Sequence, residues 1–337
     1  MTNKLNLSRR ALGAIAFGAM TLVSTSAIAQ EFTARIGHLE SPEQSRHVHL
    51  EKVAELVSER TNGAVQFELF PSAQLGNQRT MTEGVQLGSL EATVSPAAFL
   101  GGFNPAVSVL DIPYLMPADT AAAQALREGP FGDALLSTFD SRGVVGVAWW
   151  PNGMKNFTSN EELGDLAAFA DQKFRVMDSN ILIEQFNALG ASAIALPFGE
   201  LYTSLQTGVV DGQENPLDTI QRMKFFEVQD YLVISEHGAM EDMVLFNPGW
   251  WNSLPAEYQT IIQEAFNEVV PELIEHKAAA VEAALEVISE SDINIRVASD
   301  EERAAFAAAM TEPATAAYIS RAGDEGQSLI DVYTANQ

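Results

Sequence analysis

The strongest constraint on this chain is an alternation of strand and helix signals that runs once, breaks, and starts again. Thr33 to Gly37 reads as a short strand. Ser41-Pro42-Glu43-Gln44 fits a capping box with proline at the first helical position, opening a helix that runs to about Arg60 and ends at Thr61-Asn62-Gly63. Val65, Phe67 and Leu69 alternate with Gln66 and Glu68, a strand period that Pro71 stops. A helix over Gln78 to Leu87 and a strand near Leu90 to Val94 follow. Strand, helix, strand, helix, strand implies a parallel α/β sheet. After Asn152 the pattern restarts: a strand over Phe174 to Met177, a helix over Ile181 to Leu189 closed by Gly190, a strand over Ala193 to Leu196, a helix over Glu200 to Gln206, and a strand over Val209 to Gly212. Two such units imply two lobes. Ligands of these sheets sit outside the carboxyl ends of the strands, so Arg175 to Met177 and Gly212 to Asn215 can face one cleft. Pro255 to about Ser289 reads as one long helix with an apolar stripe of Ile262, Phe266, Val269, Leu273 and Ile274, kinked at Pro271.

The N-terminus has a separate logic. Lys4, Arg9 and Arg10 precede a short apolar run, Ala11 to Val23, and Ala27-Ile28-Ala29 is an A-x-A cleavage pattern. The run is too short for a stable membrane anchor. A signal peptide over 1–29, an exported mature chain beginning at Gln30 and no direct membrane insertion are expected. Ser8-Arg9-Arg10 leaves a twin-arginine route open beside the general one. The 337 residues contain no cysteine, so export comes without disulfides and the core must hold the fold alone. The formal charge of −26 becomes −26 − 3 = −29 once Lys4, Arg9 and Arg10 leave. Such a surface repels nucleic acid and anionic lipid.

No G-x-S-x-G, H-E-x-x-H, P-loop or G-x-G-x-x-G pattern is present, and a thiol nucleophile is excluded by composition. His47-Val48-His49 lies on the first helix, where residues i and i+2 do not face each other, so no metal and no cofactor is expected. Arg175 stands out because Phe174 and Val176 flank it in a strand. A buried guanidinium requires a partner: either a protein carboxylate, or a ligand carboxylate or sulfonate held as a bidentate fork. In Asp211-Gly212-Gln213-Glu214-Asn215-Pro216 the proline holds Asn215 extended, as a turn cap or as a ligand contact.

Five blocks agree in order with a known family: Lys173-Phe174-Arg175-Val176; Ala188-Leu189-Gly190-Ala191; Pro197 to Gly208; Val210 to Pro216; and Lys224-Phe225-Phe226-Glu227-Val228-Gln229. The chain resembles the extracytoplasmic solute receptors of TRAP transporters, the DctP-type family, most closely its C4-dicarboxylate branch. The resemblance implies an α/β, two-lobe periplasmic-binding-protein-like fold with the long kinked helix spanning both lobes. Lobe I would comprise 30–152 plus 241–280 and lobe II 153–240 plus 281–337. It implies that Arg175 clamps the carboxylate of a small organic acid, that Asn215 contacts the ligand, and that Glu214 is a hinge or supporting group. Trp149-Trp150-Pro151-Asn152-Gly153-Met154-Lys155 resembles the family's W-x-N-G-x-[RK] block. That match makes Lys155 a second cationic contact and Trp150 either a pocket floor or a core residue. Phe198 matches an aromatic ligand contact. Gln74-Leu75-Gly76-Asn77-Gln78-Arg79 resembles the Q-L-G-x-x-R block, with Gln78 at the rim and Arg79 structural. Two departures matter. Ser95-Pro96-Ala97-Ala98-Phe99 lacks the acidic residue and arginine of sialic-acid receptors. Asp178 replaces the more usual Asn or Ser, and could accept from a ligand hydroxyl or pair with Lys155. The implied partners are the organic acid and TRAP permease membrane subunits, with no reaction catalysed. A periplasmic hydrolase or lyase, an organosulfonate receptor and a sensor receptor remain as alternatives.

The signal-peptide reading predicts that mass spectrometry of periplasmic protein finds an N-terminus at or near Gln30. An intact Met1 on a soluble cytoplasmic product would contradict it.

Overall fold

The computed structural model describes residues 31–336; the signal-peptide reading of 1–29 and the cleavage site lie outside them. The first α/β unit contains β1 (Phe32–Gly37), α1 (Ser45–Arg60), β2 (Val65–Phe70), α2 (Gln78–Leu87) and β3 (Ala92–Pro96). Two short helices follow, α3 (Thr120–Glu128) and α4 (Pro130–Ser137), then a 15-residue strand, β4 (Val145–Ser159). The second unit contains β5 (Lys173–Val176), α5 (Asn180–Ala188), β6 (Ser192–Ala195), α6 (Leu201–Gln206), β7 (Gly212–Asn215) and α7 (Leu217–Arg222). A 16-residue strand, β8 (Tyr231–Phe246), returns to the first unit and is followed by α8 (Pro248–Trp251), α9 (Ala256–Glu268) and α10 (Val270–Ser289). The chain ends with β9 (Asn294–Val297) and α11 (Asp300–Ala335).

One sheet path runs β2-β1-β3-β8-β4-β7-β5-β6, with β9 on β8. The pairs within each unit are parallel, as the alternation requires. Between them β4 and β8 run antiparallel, from Val145↔Phe246 to Ser159↔Tyr231, with irregularities at Gly146/Ala148, Pro151/Gly153 and Lys155/Phe157. The ends of these strands belong to different units. Residues 242–246 of β8 pair with β3, while 231–234 pair with β9. Bulges add twist and bend a ladder, so two strands too long for either unit can serve both.

The α1 start differs from the capping-box expectation. The helix begins at Ser45, and Gln44 at its N-cap makes no side-chain cap bond. The Gln44 side chain instead accepts from the Ser41 amide at 3.0 Å. The strand expected at Val209 to Gly212 starts at Gly212, because Gly208 turns with φ +68°. The helix expected to kink at Pro271 separates into α9 and α10 at Val269, with the proline in the first turn of α10, where its missing N–H costs nothing. Helix α10 carries Val270 and Leu273 into the core of the first unit and Ala284 and Ile288 into that of the second. Helix α11 also spans both. Its Phe306 and Met310 join an aromatic core with Phe157, Phe174 and Phe186, while Tyr318 and Tyr333 pack in the first unit. A capping box of Ser299 and Glu302 starts it.

Gly212 is where β7 squeezes between its neighbours. A Cβ there would lie 2.5 Å from the Thr158 carbonyl oxygen and overlap the Phe174 ring. Backbone cannot yield as a side-chain tip can. Gly212→Ala is expected to cost about 1–3 kcal/mol by overpacking, read as a lower denaturant midpoint at unchanged slope.

A candidate binding chamber between the strand ends

The carboxyl ends of β1, β3, β5 and β7 converge with the middle of β4 and β8. Two cavities lie there. An inner chamber of about 20 Å³ is lined by Glu40, Arg46, Phe99 and Asn152 from the first unit and by Met177, Phe198 and Asn215 from the second. An outer vestibule of about 540 Å³ is lined by Gln78, Arg79, Asp178, Leu196 and Glu200, among others. Leu39, Phe99 and Phe198 line both and form the wall between them. The inner volume holds little more than a water.

Arg175 is buried in β5, as its apolar neighbours require. Its Nε and Nη2 donate to the Leu196 carbonyl at 3.0 and 2.8 Å. The guanidinium lies over the Phe99 ring, 5.7 Å from its centroid. Desolvation lowers its pKa to about 10, which leaves it charged at neutral pH. The other buried lysine and arginine side chains among the described residues are each met by a carboxylate: Arg46 by Asp242, Arg127 by Glu241, Lys155 by Glu214, and Lys277 by Asp218. Among the described residues no carboxylate lies within ion-pair distance of Arg175. The protein-carboxylate alternative is therefore not what the structure holds.

Asn215 is buried, lines the inner chamber and donates to the Gln213 side chain. Phe198 lines both cavities. Lys155, expected as a second cationic contact, lines neither cavity, and nor does Arg175; unlike Arg175, Lys155 is engaged by a protein carboxylate, Glu214. Register explains it: Phe157 of β4 opposes Glu214 of β7, so the lysine's tip reaches that carboxylate. Glu214 accepts from Lys155 Nζ at 2.8 Å, Gln185 Nε2 at 3.0 Å and His237 Nε2 at 2.7 Å. Burial opposes the Glu214 charge, but Lys155 and His237 outweigh it and hold the carboxyl well below its usual range. Glu214 is thus a supporting hub. Trp150 is a core residue and not a floor: it is fully buried against Phe266, to whose carbonyl its Nε1 donates at 2.9 Å. Gln78 lines the vestibule but is buried, donating to Thr93 at 3.2 Å, which corrects its placement at the rim. Asp178 pairs with Arg79 at 2.8 Å and not with Lys155, both groups being largely exposed at the vestibule.

The sequence reading missed the first unit's polar group. Arg46 Nε and Nη2 bind Asp242 at 2.8 and 2.7 Å, and Glu40 lies 3.3 Å from Nη2. Asn152 Nδ2 donates to the same Asp242 oxygen at 3.1 Å. Burial raises Asp242 to about 6 against the pull of Arg46. Glu40 moves the other way: burial again opposes its charge, but Arg46 and Lys277 prevail and lower it. The cue that exposed Arg175, a charge inside an apolar strand, also marks Glu241-Asp242 before Met243-Val244-Leu245-Phe246.

Two α/β units bridged by β4 and β8, with a chamber at their strand ends and a buried guanidinium that no carboxylate meets among the described residues, suit a solute receptor. The family model for bacterial extracellular solute-binding proteins of family 7, DctP, matches residues 36–321, and the chain belongs to that family. It is 35% identical over 266 residues to the C4-dicarboxylate-binding periplasmic protein DctP of Rhodobacter capsulatus, covering 78% of this chain and 79% of the relative. A TRAP periplasmic solute-binding protein from Desulfovibrio salexigens, solved with bound orotic acid, superposes with a TM-score of 0.89 at 63% identity, covering 90% of this chain and 98% of that one. Another from Shewanella oneidensis, solved with bound succinate, superposes with a TM-score of 0.83 at 29% identity, covering 90% and 99%. The chain is thus a periplasmic receptor of the TRAP type that takes a small organic acid, with the two-lobe fold of that class.

Removing Lys155 tests its role. Lys155→Met leaves Glu214 short of a cation, and breaking such a buried pair costs about 3 kcal/mol. Glu214's folded pKa lies below its unfolded value of 4.5. The stability it contributes is therefore present above that pH and lost as pH falls through the depressed folded pKa. The variant's deficit in chemical denaturation should be full at neutral pH and shrink under acid. Unchanged stability with collapsed ligand affinity would instead make Lys155 a direct contact.

Proposed function

We propose that this receptor holds a heterocyclic carboxylate of the orotate kind between its lobes and delivers it unchanged to the membrane permease of a TRAP transporter. The observation that carries the reading is Arg175, the buried cation with no carboxylate among the described residues. Its side edge, Nε and Nη2, is spent on Leu196. Its end edge, Nη1 and the second N–H of Nη2, is free to fork a carboxylate. Asn215 supplies a further polar contact from β7, and Phe198 and Phe99 supply ring faces. The 63% identical relative with bound orotic acid supports a planar ring acid over the open-chain acids of more distant relatives. Asp178 and Gln78 would act at the vestibule, and Glu214 and Lys155 would keep β4 and β7 in register behind the site.

The lobe division of 30–152 plus 241–280 and 153–240 plus 281–337 belongs to the same proposal. It puts the irregular middle of β4 and β8 at the hinge, where rigid-body closure would bend the chain. The small inner chamber supports a closed resting geometry that must open to admit an acid. No catalytic role is assigned to any residue, since the family members compared are receptors.

Calorimetric titration of orotate into Arg175→Lys tests the clamp. The substitution keeps charge and loses the fork. Affinity should fall by about 2–4 kcal/mol, roughly thirty- to a thousandfold, while the ligand-free protein keeps its melting temperature or gains. Unchanged affinity with a depressed melting temperature would show a structural arginine.

A further inference from the structure

On residues that line the inner chamber, two buried polar atoms have no partner: Arg46 Nη1 and Asn152 Oδ1. Both residues line the chamber and are nine-tenths or more buried. Their orientation is fixed by one acceptor. Arg46 Nη2 and Asn152 Nδ2 both donate to Asp242 Oδ1, at 2.7 and 3.1 Å. Asn152 cannot turn its oxygen toward that carboxylate without facing acceptor with acceptor, so Oδ1 is the end left over. A free donor and a free acceptor thus flank a shared carboxylate. Buried polar atoms left unmatched are costly and call for an explanation.

The charge around them decides what kind of group they await. The cluster holds two cations, Arg46 and Lys277, against three carboxylates, Glu40, Asp218 and Asp242. Its balance is 2 − 3 = −1. A second ligand carboxylate placed here would meet net negative charge in a desolvated site. A neutral group with an N–H beside a carbonyl would meet a matching acceptor and donor. Apolar walls from Phe99, Phe198 and Met240 suit a flat ring.

We infer that Arg46 and Asn152 form a second recognition end for the imide edge of a cyclic ureide, whose single carboxylate goes to Arg175. Asn152 Oδ1 accepts the ring N–H and Arg46 Nη1 donates to a carbonyl beside it. In an orotate-like ring that N–H lies opposite the carbon bearing the carboxylate, so the two groups leave the ring from opposite sides. This rests on the carboxylate reading of Arg175 and adds the residues that would separate a ureide acid from a dicarboxylate.

The test is calorimetric titration at neutral pH of the wild type and Asn152→Leu with orotate, succinate and picolinate. Picolinate is a flat ring acid without the N–H and carbonyl pair. The wild type should bind orotate about a hundredfold more tightly than either of the others, since a site built for hydrogen bonds rejects ligands that leave it unpaired. Asn152→Leu should lose about tenfold or more for orotate and change picolinate little, with a cooperative melt showing that it folds. Orotate methylated on the nitrogen opposite the carboxylate should lose about a hundredfold on the wild type; this arm decides the matter if the variant does not fold. Equal affinities for orotate and picolinate, an unaltered Asn152→Leu, or tight binding of the methylated ligand would each overturn the inference. In those outcomes a loss of all three ligands in Arg175→Lys would still uphold the carboxylate clamp. Failure of every carboxylate to bind would sink both.

Discussion

The antiparallel pairing of β4 with β8 is the constraint on which the molecule depends. It joins two parallel sheets that would otherwise share no ladder. Strands of 15 and 16 residues are longer than a small twisted sheet can use. The surplus becomes the bridge. The irregularities at Pro151/Gly153 and Lys155/Phe157 fall at the crossing, and Gly153 takes φ +106° there. The same stretch aims Asn152 at the chamber and Lys155 behind it. The irregular crossing and one wall of the chamber are thus built from one segment, so a bend at the crossing would also move Asn152.

Buried charge is handled in two ways. Lys155, Lys277, Arg46 and Arg127 sit in pairs or clusters whose carboxylates stay on the protein. These hold strands and helices at fixed separations: Lys277 ties α10 to α7, and Arg46 ties α1 to β8. A buried pair adds little net stability over an apolar substitute, and its worth here is geometric. Arg175 is treated differently. It leans on a carbonyl and a phenyl face, which leaves its charge incompletely compensated and its pKa lowered to about 10. A site that stores an unmet charge in this way loses stability while empty and recovers it when an anion arrives.

Much of the fold was legible because local periodicity and local function coincide in the two α/β units. β1, α2, β5 and β6 lie within a residue or two of where alternation placed them. The crossing strands were not legible. β4 and β8 mix apolar runs with Asn152, Lys155, Glu241 and Asp242, whose partners are distant in sequence. The sequence presents such residues as interruptions, whereas the fold uses them as ligands for one another. α11 escaped for a different reason: it is alanine-rich, its apolar positions serve two cores in turn, and no single stripe runs its length. Of the proposed site residues, Arg175, Asn215 and Phe198 were singled out by motif order, and the last two line the chamber. Trp150 and Lys155 lie in an equally clear motif, yet pack away from the chamber. A block match places a residue near a site, and only the register of β4 on β7 shows which way its side chain goes.

The acidity of the chain appears at odds with an anionic ligand, and magnitudes resolve the conflict. A formal charge of −26 is spread over a chain of 337 residues. Exposed charges beyond about 8–10 Å are screened by salt. Inside the chamber screening fails, and unit charges a few ångströms apart interact several times more strongly than in water. The local count therefore outweighs the global one. The carboxylate whose charge acts on Arg175, Glu214, is already shared by Lys155 and His237. The balance there favours one incoming negative group. Around Arg46 it favours none. The protein thus presents a repulsive exterior, an anion-attracting guanidinium in β5 and an anion-averse cluster between α1 and β8, and the ligand proposed above carries its charge on one side only.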